Sequence, residues 1–177
     1  MHFPLAEKLG IEFPLFAFTH CRDVVAEVTN AGGFGVLGAV SMTPEQLETD
    51  LKWIDEKVKG KPYGIDLLIP NKMEAKESGV TRDDLEAMVP QTHRKFVEGL
   101  LEKHGIETKG LWDDRPNYDA TENMREGGAQ RLLDVAFRHP IKLFVNALGV
   151  PPKSIVDRAH AQGILVGALT GAKEHAI

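Results

Sequence analysis

The sequence predicts an α/β protein in which helices cover a parallel sheet. Five short apolar runs are interpreted as buried strands, because each is continuous instead of alternating with polar residues. Amphipathic helices separate most of these runs, and several end at a glycine. Two architectures fit this alternation. One is an open doubly wound sheet, which five strands could complete, and the other is a β/α barrel, which needs eight units and about 250 residues.

The first three strands are predicted at 13–18, 34–40 and 63–69. Between the first two, a helix is expected from Cys21 to Ala31, with an apolar side formed by Val24, Val25 and Val28. Gly32 and Gly33 follow where a helix end favours a left-handed residue.

The second helix has the strongest start signal. Thr43 can cap it, Pro44 suits its first position and Gln46 completes a capping box. Apolar residues then recur at helical spacing up to Gly60, and they are Leu47, Leu51, Ile54 and Val58.

A helical insertion is predicted within the domain 1–177, at 71–139, because no convincing strand occurs there. It would hold a short helix capped by Thr81, a helix over Gln91–His104 and a helix that ends before Pro140. We expect three apolar residues of the middle helix to be buried: Phe96, Leu100 and Leu101. An excursion of this length is commonly a lid or a binding element.

The strand pattern returns at 141–148 and 164–169. Pro151 and Pro152 open the helix between these two strands, and Gly163 closes it. The last residues, 172–177, are predicted to begin one more helix.

Composition excludes several function classes. The formal net charge is -5, with 42% hydrophobic and 27% charged residues, which argues against a nucleic-acid-binding surface. No apolar run reaches about 18 residues, so no membrane span is expected. The N-terminus lacks a secretory signal, and the single Cys21 excludes an internal disulfide. These features favour a cytoplasmic protein.

Gly33, Gly35 and Gly38 match the GxGxxG pattern of dinucleotide-binding proteins. In those proteins the glycines follow a strand and open a helix. Here they follow a helix and enter a strand, so the pattern favours close strand packing or a turn instead.

None of the seven histidines stands at metal-ligand spacing, so no metal site is predicted. No GxSxG elbow occurs either, which argues against a serine hydrolase of that type. Most of these histidines are interpreted as surface or helix-end residues.

Polar residues follow or interrupt three of the predicted strands. Thr19 and His20 come directly after the first strand, where they would face the mouth of a barrel, meaning the C-terminal ends of its strands. Alternatively, one of them caps the following helix. Asp66 interrupts an apolar strand and must be paired or hold a polar ligand. Asn146 in the fourth strand raises the same question.

Several segments together resemble the nitronate monooxygenase (2-nitropropane dioxygenase) family. They are residues 13–19, 29–38, 61–66, 146–151 and 163–168. The segment Asn30-Ala31-Gly32-Gly33-Phe34-Gly35 is fairly specific to this family, and the order and spacing of the others agree. The resemblance covers nearly the whole chain apart from the insertion. It implies the first five β/α units of a (β/α)8 TIM-type barrel that is incomplete in this chain.

The resemblance also implies an FMN-dependent enzyme that oxidises alkyl nitronates or similar small molecules with molecular oxygen. Ala17, Phe18 and Thr19 would then contact the flavin ring, and Asn146 and Thr170 would line the mouth. Asp66 stands where many members have an asparagine that bonds the flavin. This departure implies a protonated or differently paired carboxyl.

The family's general-base histidine lies in a Glu-Ala-Gly-Gly-His segment after the sixth strand, and that segment does not occur among these 177 residues. The phosphate-binding segments of the last strands are equally absent. We therefore expect this chain by itself to be inactive in flavin-coupled turnover, with its catalytic residue unknown.

Two other functions remain open at this point. One is an NAD(P)H-dependent flavin reductase of the quinone or enoyl reductase type. The other is a non-catalytic β/α binding or assembly module, in which the open edges of an incomplete barrel lead to self-association.

Overall fold

The computed structural model describes residues 3–69, 87–112, 123 and 126–176. Its strands are β1 (Phe16–Thr19), β2 (Phe34–Gly38), β3 (Gly64–Leu67), β4 (Leu143–Asn146) and β5 (Leu165–Ala168). Its helices are α1 (Pro4–Leu9), α2 (Arg22–Asn30), α3 (Pro44–Val58), α4 (Gln91–Lys103), α5 (Glu126–Ala136) and α6 (Lys153–Ala161), followed by a 3-10 helix at Lys173–Ala176.

The five strands form one parallel sheet in the order β1-β2-β3-β4-β5, which is their order in the chain. A doubly wound sheet reverses its order at a switch point, and this sheet does not. Right-handed crossovers between successive neighbours place α2, α3, α5 and α6 on the same side of the sheet, and all four contribute to one apolar cluster with the strands. The strand order therefore confirms five successive units of a β/α barrel.

Successive side chains of each strand point to opposite sides of the sheet, so the strands contribute to two apolar layers. The outer layer faces the helices, and it joins the strand residues Leu37, Ile65 and Phe144 to the stripe of α3. A smaller inner layer contains Leu9, Phe34 and Val36, with Leu143, Val145 and Leu165 packed against it. The inner layer is the side that a barrel turns toward its own axis.

Helix α2 packs closely on the sheet through a glycine. A Cβ atom on Gly35 would lie 2.5 Å from the carbonyl oxygen and 2.8 Å from the Cα of Val25. The buried residues of this helix are Val25, Ala26 and Thr29. The prediction for Val24 was wrong, because its side chain is exposed.

Helix α3 confirms the capping box and the apolar stripe. The Gln46 backbone N–H donates to Thr43 Oγ1 at 3.1 Å, and the Thr43 backbone N–H donates to Gln46 Oε1 at 2.9 Å. All four predicted stripe residues are buried: Leu47, Leu51, Ile54 and Val58.

A polar network ties α3 to the N-terminal ends of β3 and β4. His139 Nδ1 lies 2.6 Å from Asp55 Oδ2, and the Tyr63 hydroxyl donates to Asp55 Oδ1 at 2.7 Å. His139 Nε2 also lies 3.6 Å from Glu48 Oε2. Burial, together with the bond to Asp55, raises the pKa of Tyr63. The His139 side chain, 8% exposed, is thus structural, and it lies near the end of α5 in agreement with the helix-end interpretation of the histidines.

The insertion contributes α4, whose predicted bounds are nearly right and whose predicted burial is wrong. No residue of α4 is buried, and the exposed fractions of Phe96 and Leu100 are 70% and 47%. Helical spacing of apolar residues indicates a face that can pack, but it does not identify a partner. The predictions that involve Thr81 fall outside the part of the chain that the structure describes.

Asn123 fixes one point of the insertion at the mouth. Its side-chain Nδ2 donates to the carbonyl oxygens of Val40 and Met42 at 2.6 and 2.8 Å, and the residue is buried. These two carbonyls belong to the loop that follows β2. The insertion therefore touches the C-terminal end of the sheet, where barrel enzymes place their sites.

Candidate functional site

The register of the sheet decides which predicted residues share a side. Gly38 lies opposite Asp66, and a Cβ atom on Gly38 would point at the side chains of Phe18 and His20. Register partners in a parallel sheet point to the same side. Phe18, His20 and Asp66 therefore converge on the inner side of the sheet at its C-terminal end.

Gly38 is the position that allows this convergence. A Cβ there would lie 2.6 Å from Phe18 Cζ and 2.8 Å from His20 Cε1, closer than such contacts occur. The Phe18 ring also meets the His20 ring edge-on, with centroids 5.1 Å apart. Because Gly38 has no side chain, both rings can lie over the end of β2.

The hydrogen bond between His20 and Gly38 fixes the tautomer of the imidazole. His20 Nδ1 lies 2.9 Å from the Gly38 carbonyl oxygen. A carbonyl oxygen can only accept, so Nδ1 carries the hydrogen and donates. In the neutral ring, Nε2 then has a free lone pair. Among the residues that the structure describes, no hydrogen bond to this Nε2 occurs.

Asp66 is a buried carboxyl without a side-chain hydrogen bond to any residue within 3–69, 87–112, 123 and 126–176. Its exposed fraction is 7%. Burial raises its pKa to about 6, and the charge of His20 opposes this shift. A carboxyl in this position is costly unless a ligand or water satisfies it, so its placement indicates a binding function.

Ala17 and Thr19 lie on the opposite, helix-facing side of β1. Their register partners are Gly35, which contacts α2, and Leu37, which lies in the outer layer. The Thr19 hydroxyl accepts from the Cys21 backbone N–H at 3.0 Å. Cys21 itself is the N-cap of α2, without a side-chain cap. Thus neither Thr19 nor His20 caps the helix, and Ala17 and Thr19 reach the inner side only through their backbone.

Asn146 is fully buried and bonded to two loops at the mouth. Its Oδ1 accepts from the Ile69 backbone N–H at 2.8 Å, and its Nδ2 donates to the carbonyl oxygens of Ile69 and Gly149 at 3.0 and 2.9 Å. These bonds tie the end of β3 to the loop after β4. They give Asn146 a structural task, while its predicted contact with the cofactor stays a prediction.

Thr170 follows β5 and is exposed, and the neighbouring Leu169 has an exposed fraction of 59%. The structure does not bring Thr170 into contact with the Phe18, His20 and Asp66 group. Its assignment to the mouth therefore rests on its place at the end of a strand.

The residues at the mouth fit the ring system of a flavin. A flat aromatic ligand needs apolar surface and a few polar groups at its edge. The Phe18 side chain is 57% exposed, and the Asp66 carboxyl offers an unused polar group. By contrast, no group of three or more His, Cys, Asp or Glu side chains in the described part of the chain could hold a metal ion.

Sequence reasoning singles out His20 and Asp66 separately and does not connect them with each other or with Gly38. They are far apart in the chain, and Gly38 was interpreted only as a packing position. The available signal was that His20 follows one predicted strand and that a carboxyl, Asp66, interrupts another, since parallel strands bring their carboxyl ends together at one edge of the sheet. What the sequence lacked was the order of the strands in the sheet.

The chain is similar to several known proteins over nearly its whole length. It is 47% identical, over 97% of its residues, to Rv1533 of Mycobacterium tuberculosis, which is provisionally named a monooxygenase. It is 26% identical, over 96% of its residues, to a provisionally named nitronate monooxygenase of Staphylococcus haemolyticus. The chain spans 46% and 43% of the length of these two relatives.

A solved structure shares the fold. Nitroalkane oxidase from Streptomyces ansochromogenes superposes with a TM-score of 0.65, at 19% sequence identity, over 97% of this chain and 44% of that one. The family model for nitronate monooxygenase matches residues 4–177. The chain therefore belongs to the nitronate monooxygenase family.

Proposed function

We propose that the chain provides the flavin-facing strands of an FMN-dependent oxidoreductase that oxidises alkyl nitronates with molecular oxygen. The observation that carries this proposal is the group at the mouth. There, the exposed ring of Phe18 and the buried carboxyl of Asp66, which has no partner among the described residues, lie at the ends of β1 and β3, on either side of β2. Membership of the family supplies the reaction type.

The residues of this chain would bind and orient the flavin ring. When bound, FMN supplies the electron-accepting chemistry of the reaction. The Phe18 side chain would give it apolar contact, and Ala17 and Thr19 would contribute backbone groups from β1. Asn146 would act indirectly, because its bonds hold the loop after β3 in place.

Asp66 would be the polar contact, and its protonation state decides what it can do. Its pKa is raised to about 6 by burial. Below that pH the neutral carboxyl can donate a hydrogen bond, whereas above it the carboxylate only accepts. An asparagine, which many family members carry here, both donates and accepts at every pH. Asp66 therefore makes the contact with the ring dependent on pH.

We further propose that the chain by itself does not turn over nitronates with flavin. The histidine-containing segment that the family uses as a base does not occur in it, and its relatives are about twice as long. We place the protein in the cytoplasm, which its single exposed cysteine favours. No helix in the described residues is long and apolar enough to cross a membrane.

A titration with FMN tests the proposal. Purified chain should quench FMN fluorescence, and Phe18→Ala should weaken binding by about tenfold, the effect of losing one aromatic contact. Phe96→Ala is the matched control, because Phe96 is also an exposed phenylalanine, at 70% against 57% for Phe18, but lies on α4. Equal affinities of the two variants, or no quenching by the unmodified chain, would contradict the proposal.

A further inference from the structure

We propose that the outer edges of this sheet pair with a second copy of the same chain, with β1 of one copy beside β5 of the other and the two strands parallel. Two copies can form this contact twice, once at each edge, which closes the sheet around a two-fold axis. This inference does not depend on the proposed binding of a flavin.

The first support is the composition of the two outer strands. Natural sheets usually protect their edges with charged residues, prolines or bulges, which discourage pairing with another chain. β1 reads Phe-Ala-Phe-Thr and β5 reads Leu-Val-Gly-Ala, so neither contains a charge or a proline. These residues are typical of a buried strand, yet Phe16 is 42% exposed and every residue of β5 is half-buried. By contrast, every residue of β2 and β3 is buried.

The second support is the direction of the backbone groups on the outer edge of β1. The Leu15 carbonyl oxygen, just before this strand, accepts from the Phe34 N–H of β2 at 2.8 Å. Successive residues of a strand direct their backbone N–H and C=O groups to alternate edges. Phe16 and Phe18 therefore direct theirs away from β2, where no strand among the described residues meets them.

The outer edge of β5 offers the matching groups. The N–H groups of Leu165 and Leu169 donate to carbonyl oxygens on the chain of β4, at 3.0 and 3.1 Å. The backbone groups of Val166 and Ala168 therefore point away from β4. In a parallel pair, one residue bonds to two residues of the neighbouring strand. The Phe18 N–H can thus donate to the Val166 carbonyl oxygen of the second copy, while its own carbonyl oxygen accepts from the Ala168 N–H.

The third support is the size of the side chains that this pairing brings together. Phe16 would lie beside Leu165 of the second copy, and Phe18 beside Gly167. The space at the Cβ position of Gly167 is open, since the nearest atom is 3.4 Å away. Phe18 already lies over a glycine, Gly38, on its other side. Because a glycine adds no side chain, the pairing leaves the face of the Phe18 ring uncovered for a ligand.

The pairing also adds residues to the mouth. β1 is an outer strand, so no described strand lies beyond the group formed by Phe18, His20 and Asp66. Leu169 and Thr170 follow β5, and both are exposed. In the pair, these two residues of the second copy would lie beside His20, at the end of the neighbouring strand. The second copy would thereby supply a side of the site that the described strands of one chain leave open.

Two variants that each block one edge test the pairing by recombination. Phe16→Glu places a charge on the edge of β1. Ala168→Pro removes an N–H that β5 offers to the second copy, and an outer strand tolerates proline there. We expect the unmodified chain to sediment at twice the 19.5 kDa of the monomer and each variant alone to remain a monomer. An equimolar mixture should form dimers, because the β1 edge of one variant fits the β5 edge of the other.

Ala168→Ser keeps the N–H and should associate like the unmodified chain, as should Phe96→Glu on α4. A monomeric unmodified chain would overturn the proposal. Dimers formed by Ala168→Pro alone would also overturn it, since β1 would then pair with itself. Two variants that stay monomeric when mixed, while circular dichroism shows both to be folded, would overturn it as well.

Hydrogen exchange of the unmodified chain gives a measurement that needs no variant. The amide hydrogens of Phe16, Phe18, Val166 and Ala168 should exchange about tenfold more slowly when the concentration is raised from mostly monomer to mostly dimer. Slower exchange at β1 without slower exchange at β5, or no change at either strand, would overturn the proposal.

Discussion

At the scale of single residues, Asp66 and Asn146 show two outcomes for a polar side chain in a buried strand. Asn146 satisfies its amide with three backbone bonds. Asp66 has no side-chain hydrogen bond to another residue in the described ranges, and burial raises its pKa. The first residue stabilises the fold, whereas the second costs stability and is therefore the better candidate for function.

The cost of Asp66 gives a prediction for stability against pH. The raised pKa means that between about 4 and 6 the folded chain binds more protons at this carboxyl than the unfolded chain. The free energy of unfolding therefore falls as the pH rises through that window. Asp66→Asn removes the effect. At pH 8 we expect the variant to be more stable by on the order of 3 kcal/mol, because the pKa is raised from 3.8 to about 6.

Urea unfolding at pH 8 and pH 4 measures this difference, which should largely disappear at the lower pH. Asp157→Asn serves as the control, because that exposed aspartate lies on α6 in an ion pair with Lys153. An Asp66→Asn variant that is less stable than the unmodified chain at pH 8 would show that the carboxylate is well paired.

At the scale of elements, glycines in the strands set how closely the layers approach. Gly35 lets α2 lie against β2, because the backbone of Val25 occupies the space that a side chain at position 35 would fill. Gly38 leaves room for two rings at the site. Within the GxGxxG pattern, Gly35 thus serves packing on one side of the strand and Gly38 serves the site on the other, and the pattern follows a helix and enters a strand, the reverse of its place in a dinucleotide fold.

Gly35→Ala should separate α2 from β2. The new Cβ would meet backbone atoms, which cannot move without the whole helix, so we expect a loss of about 1–3 kcal/mol in the free energy of unfolding. Gly167→Ala is the matched strand glycine. A Cβ atom at position 167 would meet side-chain atoms only at 3.4 Å or more and a carbonyl oxygen at 3.9 Å. The free energy of unfolding of this variant should therefore change little.

Chemical denaturation of the two variants tests this comparison. A similar stability for both would mean that α2 adjusts freely on the sheet. A large loss for Gly167→Ala alone would place the tight contact at β5 instead.

At the scale of the whole molecule, the described part of the sheet has an inner side that Leu9 and Ile11 cover only in part, and it has two outer strands. Within the described strands, β1 pairs only with β2, and β5 pairs only with β4. Apolar side chains at and beside β1 are largely exposed, namely Leu15, Phe16 and Phe18. Exposed apolar surface next to an unpaired strand edge favours association.

We therefore expect the isolated chain to self-associate. Sedimentation velocity over a range of concentrations should show species heavier than the 19.5 kDa monomer. Phe16→Glu should shift the distribution toward monomer, because it places a charge on the β1 edge. Phe96→Glu on α4 is the control. A monomer at every concentration would contradict the expectation.

Much of the fold could be predicted from local patterns. The capping box of α3 and its apolar stripe depend on residues within one helix, and both are confirmed. The five strands were also found, because buried parallel strands consist of continuous apolar residues. The burial of Phe96 and Leu100 was predicted wrongly, because a helical apolar face requires a partner that local spacing does not specify.

The sequence by itself determined the α/β class, the five strands and the resemblance to the family, since these depend on residues that are close in the chain. It also identified Asp66 as unusual. Only the tertiary structure decided between an open sheet and a barrel, because that choice depends on strand order. Likewise, only the register placed His20, Gly38 and Asp66 together and turned Ala17, Thr19 and Asn146 to the other side. The pairing of neighbouring strands decides which of their residues share a face, and the paired strands are distant in sequence.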